Sequence, residues 1–266
     1  MKELQAGSRV IGKLPKGCYY CAKGAKLVLL VTGLCKRKCF YCPLSKEKRN
    51  KDAVFANERR VKHNEDIIEE AKLINALGTG ITGGDPMLVS KRTLHYIELL
   101  KENFGIKHHI HLYTAGEFDR ELVRKLADVG LDEFRVHPPL KYWDRLENTK
   151  YEILLKEALK THMGVGIEIP SLPNYKQKII KLIDYANKLG IDFINLNELE
   201  YSETNYKALN KIGYTIKNDI SAAVKGSEKL AVEIMKELDV KLQLHYCSSA
   251  FKDSVQLRNR IMRRAK

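Results

Sequence analysis

The sequence predicts an α/β protein: a partial (βα)6 barrel, open and about three-quarters closed, with short N-terminal and C-terminal extensions. Three observations predict it. A continuous apolar run follows Lys26, five more strand-like runs alternate with stretches of helical periodicity, and glycines punctuate several passages from helix to strand.

Residues 26–33 (KLVLLVTG) read as a strand buried on both faces, and a cysteine-bearing loop follows. Residues 64–77 have helical spacing with acidic residues in the first turn. Residues 79–82 form a short strand ending in Gly83-Gly84-Asp85-Pro86, and 90–104 a helix capped by Ser90. The rhythm continues with strands at 108–114, 131–137, 163–169 and 191–196. Helices are expected at 119–129, 151–162 and 175–189. Gly78, Gly105, Gly130, Gly164 and Gly190 stand where helices should end.

Six such units imply a parallel sheet with right-handed crossovers, and a closed eight-unit barrel usually needs more chain. The core is expected over 26–202. Residues 1–25, with a C-x2-C pair, and 203–266 flank it, the latter packing on the core. In such folds chemistry gathers at the C-terminal ends of the strands. The polar residues expected there are Cys35–Cys42, Gly84, Asp85, Thr114, His137, Glu168, Asn197 and Glu198.

No apolar run is long enough to cross a bilayer, and residues 1–16 lack the apolar stretch of a signal peptide. A cytoplasmic location without membrane partners is expected. The net charge of +14 favours an anionic partner such as nucleic acid, a phosphorylated metabolite or an acidic protein. The chain is also rich in glutamate, with 30% charged residues, so a thermophile-like surface is an equal reading. Lys36, Arg37, Lys38, Lys46, Lys48, Arg49 and Lys51 flank the cysteine loop. Lys252, Arg258, Arg260, Arg263, Arg264 and Lys266 crowd the C-terminus. A solvated face explains these runs slightly better than RNA binding.

The six cysteines fall as Cys18/Cys21, Cys35/Cys39/Cys42 and Cys247. Such close spacing reads as metal binding rather than cross-linking. Three thiols at C-x3-C-x2-C can converge on one iron–sulfur cluster, whose full ligand set is normally four, leaving one iron open to a small molecule. A structural zinc site prefers four closed ligands.

This loop, with Tyr41 directly before its last cysteine and a strand before its first, resembles the radical S-adenosylmethionine (SAM) superfamily. The resemblance spans about Lys26 to Tyr201. It is similar, more narrowly, to archaeal proteins related to pyruvate formate-lyase activating enzyme. The resemblance implies that Cys35, Cys39 and Cys42 hold a 4Fe–4S cluster. With one electron from a flavodoxin- or ferredoxin-type reductant, that cluster would cleave SAM to methionine and a 5′-deoxyadenosyl radical, which abstracts hydrogen from a substrate. Tyr41, Gly83, Gly84, Asp85, Thr114, Glu168 and Asn197 become the candidate cofactor-binding residues. Asp85 stands where the family more often has Glu, so its contact to the methionyl amino group is expected to be displaced or water-mediated. Pairing of Glu168 with Arg135 is an equal, purely structural expectation, and His137 is a substrate contact or a turn cap. His109 and His111 should share one strand face with His108 on the other, which favours packing over metal.

Residues 240–247 alternate, so His245 and Cys247 point to one side. With Cys18 and Cys21 they make a candidate second metal site, for zinc or an auxiliary iron–sulfur cluster. The substrate class stays open between tRNA or other RNA, a protein, and a small molecule. The alternative from another class is a non-catalytic, zinc-containing RNA-binding protein, which leaves the strand rhythm and GGDP unexplained.

Overall fold

The computed structural model describes residues 1–219 and 221–266. The chain opens with β1 (Lys2–Glu3), β2 (Arg9–Ile11) and helix α1 (Lys16–Ala22). The first core strand, β3 (Lys26–Leu30), is followed by the cysteine loop and a small hairpin, β4 (Phe55–Ala56) and β5 (Arg59–Arg60). Alternation then sets in: α2 (Asn64–Leu73), β6 (Gly78–Thr82), α3 (Ser90–Phe104), β7 (His109–Thr114), α4 (Arg120–Asp128), β8 (Glu133–Val136), α5 (Lys150–Ala158), β9 (Gly164–Ser171), α6 (Lys176–Leu189) and β10 (Phe193–Glu198). All six expected units are present. Short α7 (Tyr206–Lys211), then α8 (Ser227–Glu237) and β11 (Gln243–Cys247), lead into a C-terminal helix. That helix runs from Ser249–Phe251 through a π-helical stretch, Lys252–Leu257, to Arg258–Arg264.

One sheet holds every strand, in the order β1-β2-β11-β10-β9-β8-β7-β6-β3-β4-β5. Seven neighbours, from β3 through β6–β11, run parallel. The six expected strands stand in this run, and β11 extends it to seven. The segment after residue 202 does not merely pack on the core. It adds a complete further unit, with α8 as crossover and β11 paired to β10 from Phe193↔Gln243 to Asn197↔Cys247. Crossover helix and alternating strand were both readable, but the long irregular stretch before them hid the rhythm. The N-terminal extension joins the same edge, with β2 antiparallel to β11.

The helices bury one apolar stripe each against the outside of the sheet. Ile67, Ile97, Leu100, Val123, Leu126, Leu154, Leu155, Ile179, Leu182, Ile183 and Ile234 are all buried there. Asp119 caps α4 and Thr149 caps α5 through side-chain acceptance of backbone N–H groups. Gly105, Gly130 and Gly190 follow their helices at positive φ as expected. Gly78 and Gly164 instead open strands, and Asn75 supplies the left-handed residue after α2.

The concave face is polar. Where a closed barrel packs branched apolar layers, this one turns Lys26, His109, His111, Glu133, Arg135, Glu168, Asn195 and His245 inward, all buried or half-buried. Helix α1 inserts among them. A Cβ on Gly17 would lie 2.5 Å from His111 Nδ1, 2.7 Å from Arg135 Nη2 and 2.9 Å from Glu133 Oε1. A side chain at residue 17 would have to displace these three buried groups. The first residues of α1 close the floor of the barrel, with Gly17 N–H donating to Glu133 Oε2 at 3.3 Å.

Candidate functional site

The chamber above α1 has a volume of about 700 Å³. Cys35, Cys39 and Cys42 line its mouth, while Cys18, Cys21, His245 and Cys247 line its interior. Both cysteine sets identified in the sequence therefore face one space.

The cysteine loop is braced from behind. Gly33 exchanges backbone hydrogen bonds with Lys51 and Asn50, at 2.8 and 2.9 Å. A Cβ on Gly33 would stand 1.6 Å from the Lys48 carbonyl oxygen, so the returning segment lies directly on it. Arg92 donates to Val31 O at 3.0 Å and grips Asp52, which also accepts from Thr32 Oγ1 at 2.9 Å. Within the loop, Arg37 N–H donates to Cys35 Sγ at 3.3 Å, and the Arg37 guanidinium reaches Ala115 O, Glu117 and the Tyr151 hydroxyl. On the far side Thr204 and Asn205 donate to the carbonyls of Cys42 and Tyr41. The thiols are half-buried, and desolvation pushes those of Cys35 and Cys39 above the usual range.

Tyr41 and His137 form a defined pair. His137 Nδ1 lies 2.7 Å from the Glu168 carbonyl oxygen, which can only accept, so Nδ1 carries the proton. Its Nε2 then accepts from the Tyr41 hydroxyl at 2.9 Å. Burial holds His137 below the usual histidine range, consistent with this neutral form.

The Gly83-Gly84-Asp85 turn packs against the cysteine loop through backbone alone. Gly84 N–H donates to Thr32 O and Asp85 N–H to Leu34 O, both at 2.8 Å. Gly83, Gly84 and Thr114 line the chamber. Asp85 sits behind them, 2% exposed. Its Oδ1 accepts from Thr114 Oγ1 at 2.8 Å and Met87 N at 3.2 Å, and a Cβ on Gly116 would meet its Oδ2 at 2.2 Å. Burial raises its pKa, with the Thr114 and Met87 hydrogen bonds opposing. The carboxylate thus fixes Thr114, and the resemblance implies for it a displaced or water-mediated contact to the methionyl amino group.

Glu168 lies inside β9, since the strand runs on to Ser171 rather than ending near it. It accepts from Arg135 Nη1 at 2.7 Å, Asn195 Nδ2 at 2.9 Å and Asn197 Nδ2 at 2.7 Å. Burial works against its charge, but Arg135 and the two amides outweigh it and hold the carboxyl below its ordinary value. Arg135 also pairs with Glu133. Glu168 thus pairs with Arg135, and Asn197 belongs to the same network.

Asn195 had no place in the sequence reading. Its signal was the alternation of β10, which turns 193, 195 and 197 to one face. Its amide orientation is fixed by Glu168, an acceptor-only partner. The same Nδ2 lies 3.4 Å from Cys18 Sγ, and Oδ1 lies 3.2 Å from His245 Nδ1. Lys26 was missed inside an apolar run. It is 2% exposed, donates to Thr79 O and His109 O, lies 3.1 Å from His109 Nδ1, and burial lowers its pKa to about 8. His108 packs away from this group against Thr79 Oγ1, so the three histidines divide between faces as expected.

The C-terminal basic run is largely committed to the chain itself. Arg264 pairs with Glu70, Arg260 approaches Glu58 at 3.6 Å, and Arg263 donates to the carbonyls of Ile74 and Asn75. Lys252 pairs with Glu200. Around the cysteine loop, Lys46 and Lys48 pair with Glu203 and Glu58, leaving Lys36, Lys38 and Lys51 exposed.

The braced three-cysteine loop, the glycine turn beside it and the seven-stranded parallel sheet define a cofactor-dependent radical enzyme class. The radical SAM superfamily model matches residues 29–197. A protein of Methanocaldococcus jannaschii, provisionally described as a glycyl-radical enzyme activating enzyme, is 43% identical over 258 residues, covering 96% of this chain and 68% of its own length. Among solved structures, Streptococcus suis SuiB bound to S-adenosylmethionine aligns over 84% of this chain and 50% of its own, with 14% identity and a TM-score of 0.54. Methylornithine synthase aligns over 79% and 62%, with 12% identity and a TM-score of 0.51. The aligned part of this chain thus spans half to about three-fifths of those structures. Their likeness establishes the fold. The chain belongs to the radical SAM superfamily and is an enzyme of that superfamily, using SAM and a 4Fe–4S cluster. The non-catalytic RNA-binding alternative is set aside by the family match.

Proposed function

We propose that this enzyme cleaves SAM reductively and abstracts hydrogen from a protein substrate. The single observation that carries the chemistry is the placement of Cys35, Cys39 and Cys42 on one braced loop at the chamber mouth, in backbone contact with Gly83–Asp85. Three thiols fit a cluster that keeps one iron open. When bound, that cluster supplies the electron that splits SAM into methionine and a 5′-deoxyadenosyl radical.

The protein's own part is positioning and shielding. Gly83 and Gly84 let a ligand approach the backbone closely. Thr114, its hydroxyl held by Asp85 and Gly116, lines the chamber. Tyr41 and His137 tie the cysteine loop to β8 and β9. The Arg135–Glu168 network sets a polar wall that is already hydrogen-bonded, so it orients rather than titrates.

A protein substrate is favoured over RNA on two grounds. The 43% identical relative carries a description as an activating enzyme for a glycyl-radical enzyme, and most C-terminal basic residues are occupied within the chain. Exposed Lys36 and Lys38 beside the loop suit an acidic electron donor of flavodoxin or ferredoxin type. Thiols kept reduced for metal binding suit the cytoplasm, and among the described residues no helix is long and apolar enough to cross a membrane.

The test is anaerobic reconstitution with iron and sulfide, followed by assay for 5′-deoxyadenosine with and without dithionite. Reductant-dependent product, abolished by C35A, C39A or C42A, is expected. Full cleavage in any of these variants would sink the reading.

A further inference from the structure

We propose that Cys18, Cys21, Cys247 and His245 hold a second metal centre, of the thiolate- and imidazole-ligated class, inside the chamber that the cysteine loop closes. The sequence alone leaves these four on the flanks of the core, as a candidate site for zinc or an auxiliary iron–sulfur cluster. The fold gives them a different address. The α1 insertion carries Cys18 and Cys21 up through the barrel floor, and β11 brings His245 and Cys247 into the inward-facing row beside Asn195 and Asn197. The site therefore faces the reaction space, and the inference rests on the enzyme reading above for what that space does.

Two observations point to a metal rather than to packed thiols. First, all six cysteines are free, and Cys18 is 8% exposed. Its sulfur accepts from Arg135 Nη2 at 3.5 Å and Asn195 Nδ2 at 3.4 Å. Both donors belong to side chains 1–2% exposed. A buried cation and a buried amide aimed at one sulfur suit a thiolate, and make poor use of a neutral thiol.

Second, the tautomer of His245 is fixed. Asn195 Nδ2 is committed to Glu168 and Cys18, so Asn195 Oδ1 accepts and His245 Nδ1 donates. That leaves Nε2 with a free lone pair in a residue that lines the chamber. A ring N–H donated to an oxygen behind it is the usual support of a metal-ligating histidine.

Among the described residues, no three metal-ligating side chains stand gathered about a common point. The same is true of Cys35, Cys39 and Cys42, and both sets line the chamber.

Zinc and an iron–sulfur cluster share this ligand chemistry, and metal analysis separates them. The full chain is expressed with iron and zinc supplied, purified anaerobically and reconstituted, as wild type, as C35A/C39A/C42A and as C18A/C21A/C247A. The first variant is expected to keep either one zinc or about four irons per chain, and the second to lose that complement. If C35A/C39A/C42A binds neither metal, or C18A/C21A/C247A keeps the whole complement, the second centre is refuted. A Cys18–Cys21 disulfide in the anaerobically purified chain would refute it as well. Should C18A/C21A/C247A fail to fold, H245Q and C247S in the C35A/C39A/C42A background serve instead, read by cobalt substitution. Thiolate-to-cobalt absorption that weakens in both supports the site, and an unchanged or absent band overturns it. Because metal content is read without SAM turnover, loss of cleavage with metal retained would count against the radical reading alone.

Discussion

A Cβ added at Gly84 would lie 2.3 Å from the Leu34 carbonyl oxygen, and one at Gly83 2.4 Å from that of Thr32. Both neighbours are backbone of the cysteine loop, so neither can yield by turning a side chain. G84A is expected to push the loop off the turn at a cost of about 1–3 kcal/mol. It should cut SAM cleavage at least tenfold while leaving circular dichroism unchanged. Wild-type turnover in G84A would show that the contact is dispensable. Glu168 makes a second prediction at this scale. Its folded pKa is depressed from 4.5, with burial opposing and Arg135 and the amides prevailing. A depressed carboxylate contributes stability above its unfolded pKa and loses it as pH falls through the folded value. Wild type should therefore exceed E168Q in urea midpoint near neutrality, and the gap should narrow between about pH 5 and the acid limit of folding. A gap that widened on acidification would contradict the assignment. The cysteine spacing and the glycines of this site were readable in the sequence because each is a local pattern. The inward pairing of Arg135 with Glu133 and Glu168 was only half readable. Alternation gives a face, but which charge meets which depends on register between β8 and β9.

At the scale of elements, the six strand–helix units could be read because a buried parallel strand and an amphipathic helix have different periods. Helix α1 could not be read as a plug. Seven residues with two cysteines say nothing about where they insert, and the decisive residue is Gly17, whose meaning lies in His111, Arg135 and Glu133 far along the chain. G17V is expected to expel the helix. The overpacking costs about 1–3 kcal/mol, and the displaced helix leaves Glu133 without its backbone donor. Hydrogen exchange should then speed up in residues 16–22 and in β7 and β8 while α3 and α6 stay protected. Uniform acceleration across the chain would mean that α1 is part of the global core and not a separable floor.

For the whole molecule, the charge of +14 looked like an interaction signal, and the fold redirects much of it. Arg260, Arg263 and Arg264 fasten the C-terminal helix across Glu58, Glu70 and the Ile74–Asn75 carbonyls. Asn259 donates to Ala22 O at 2.8 Å, at the end of α1, and a Cβ on Gly24 would lie 2.3 Å from Arg260 N. The two ends of the chain thus lock each other, with β2 paired to β11 on one side and the C-terminal helix against the α1 exit on the other. Removing residues 258–266 is therefore expected to act on stability and on the chamber floor before it acts on any anionic partner. The truncated chain should melt several degrees lower. Under anaerobic conditions without metal, its Cys18 and Cys21 should be alkylated by maleimide at least tenfold faster than in the full chain, with Cys35, Cys39 and Cys42 unchanged as internal controls. Its affinity for RNA should differ little from the full chain's at matched salt, since three of the removed cations, Arg260, Arg263 and Arg264, are already engaged within the chain. A truncation that left melting and thiol reactivity untouched, but abolished RNA retention, would return the C-terminal helix to the role its composition first suggested.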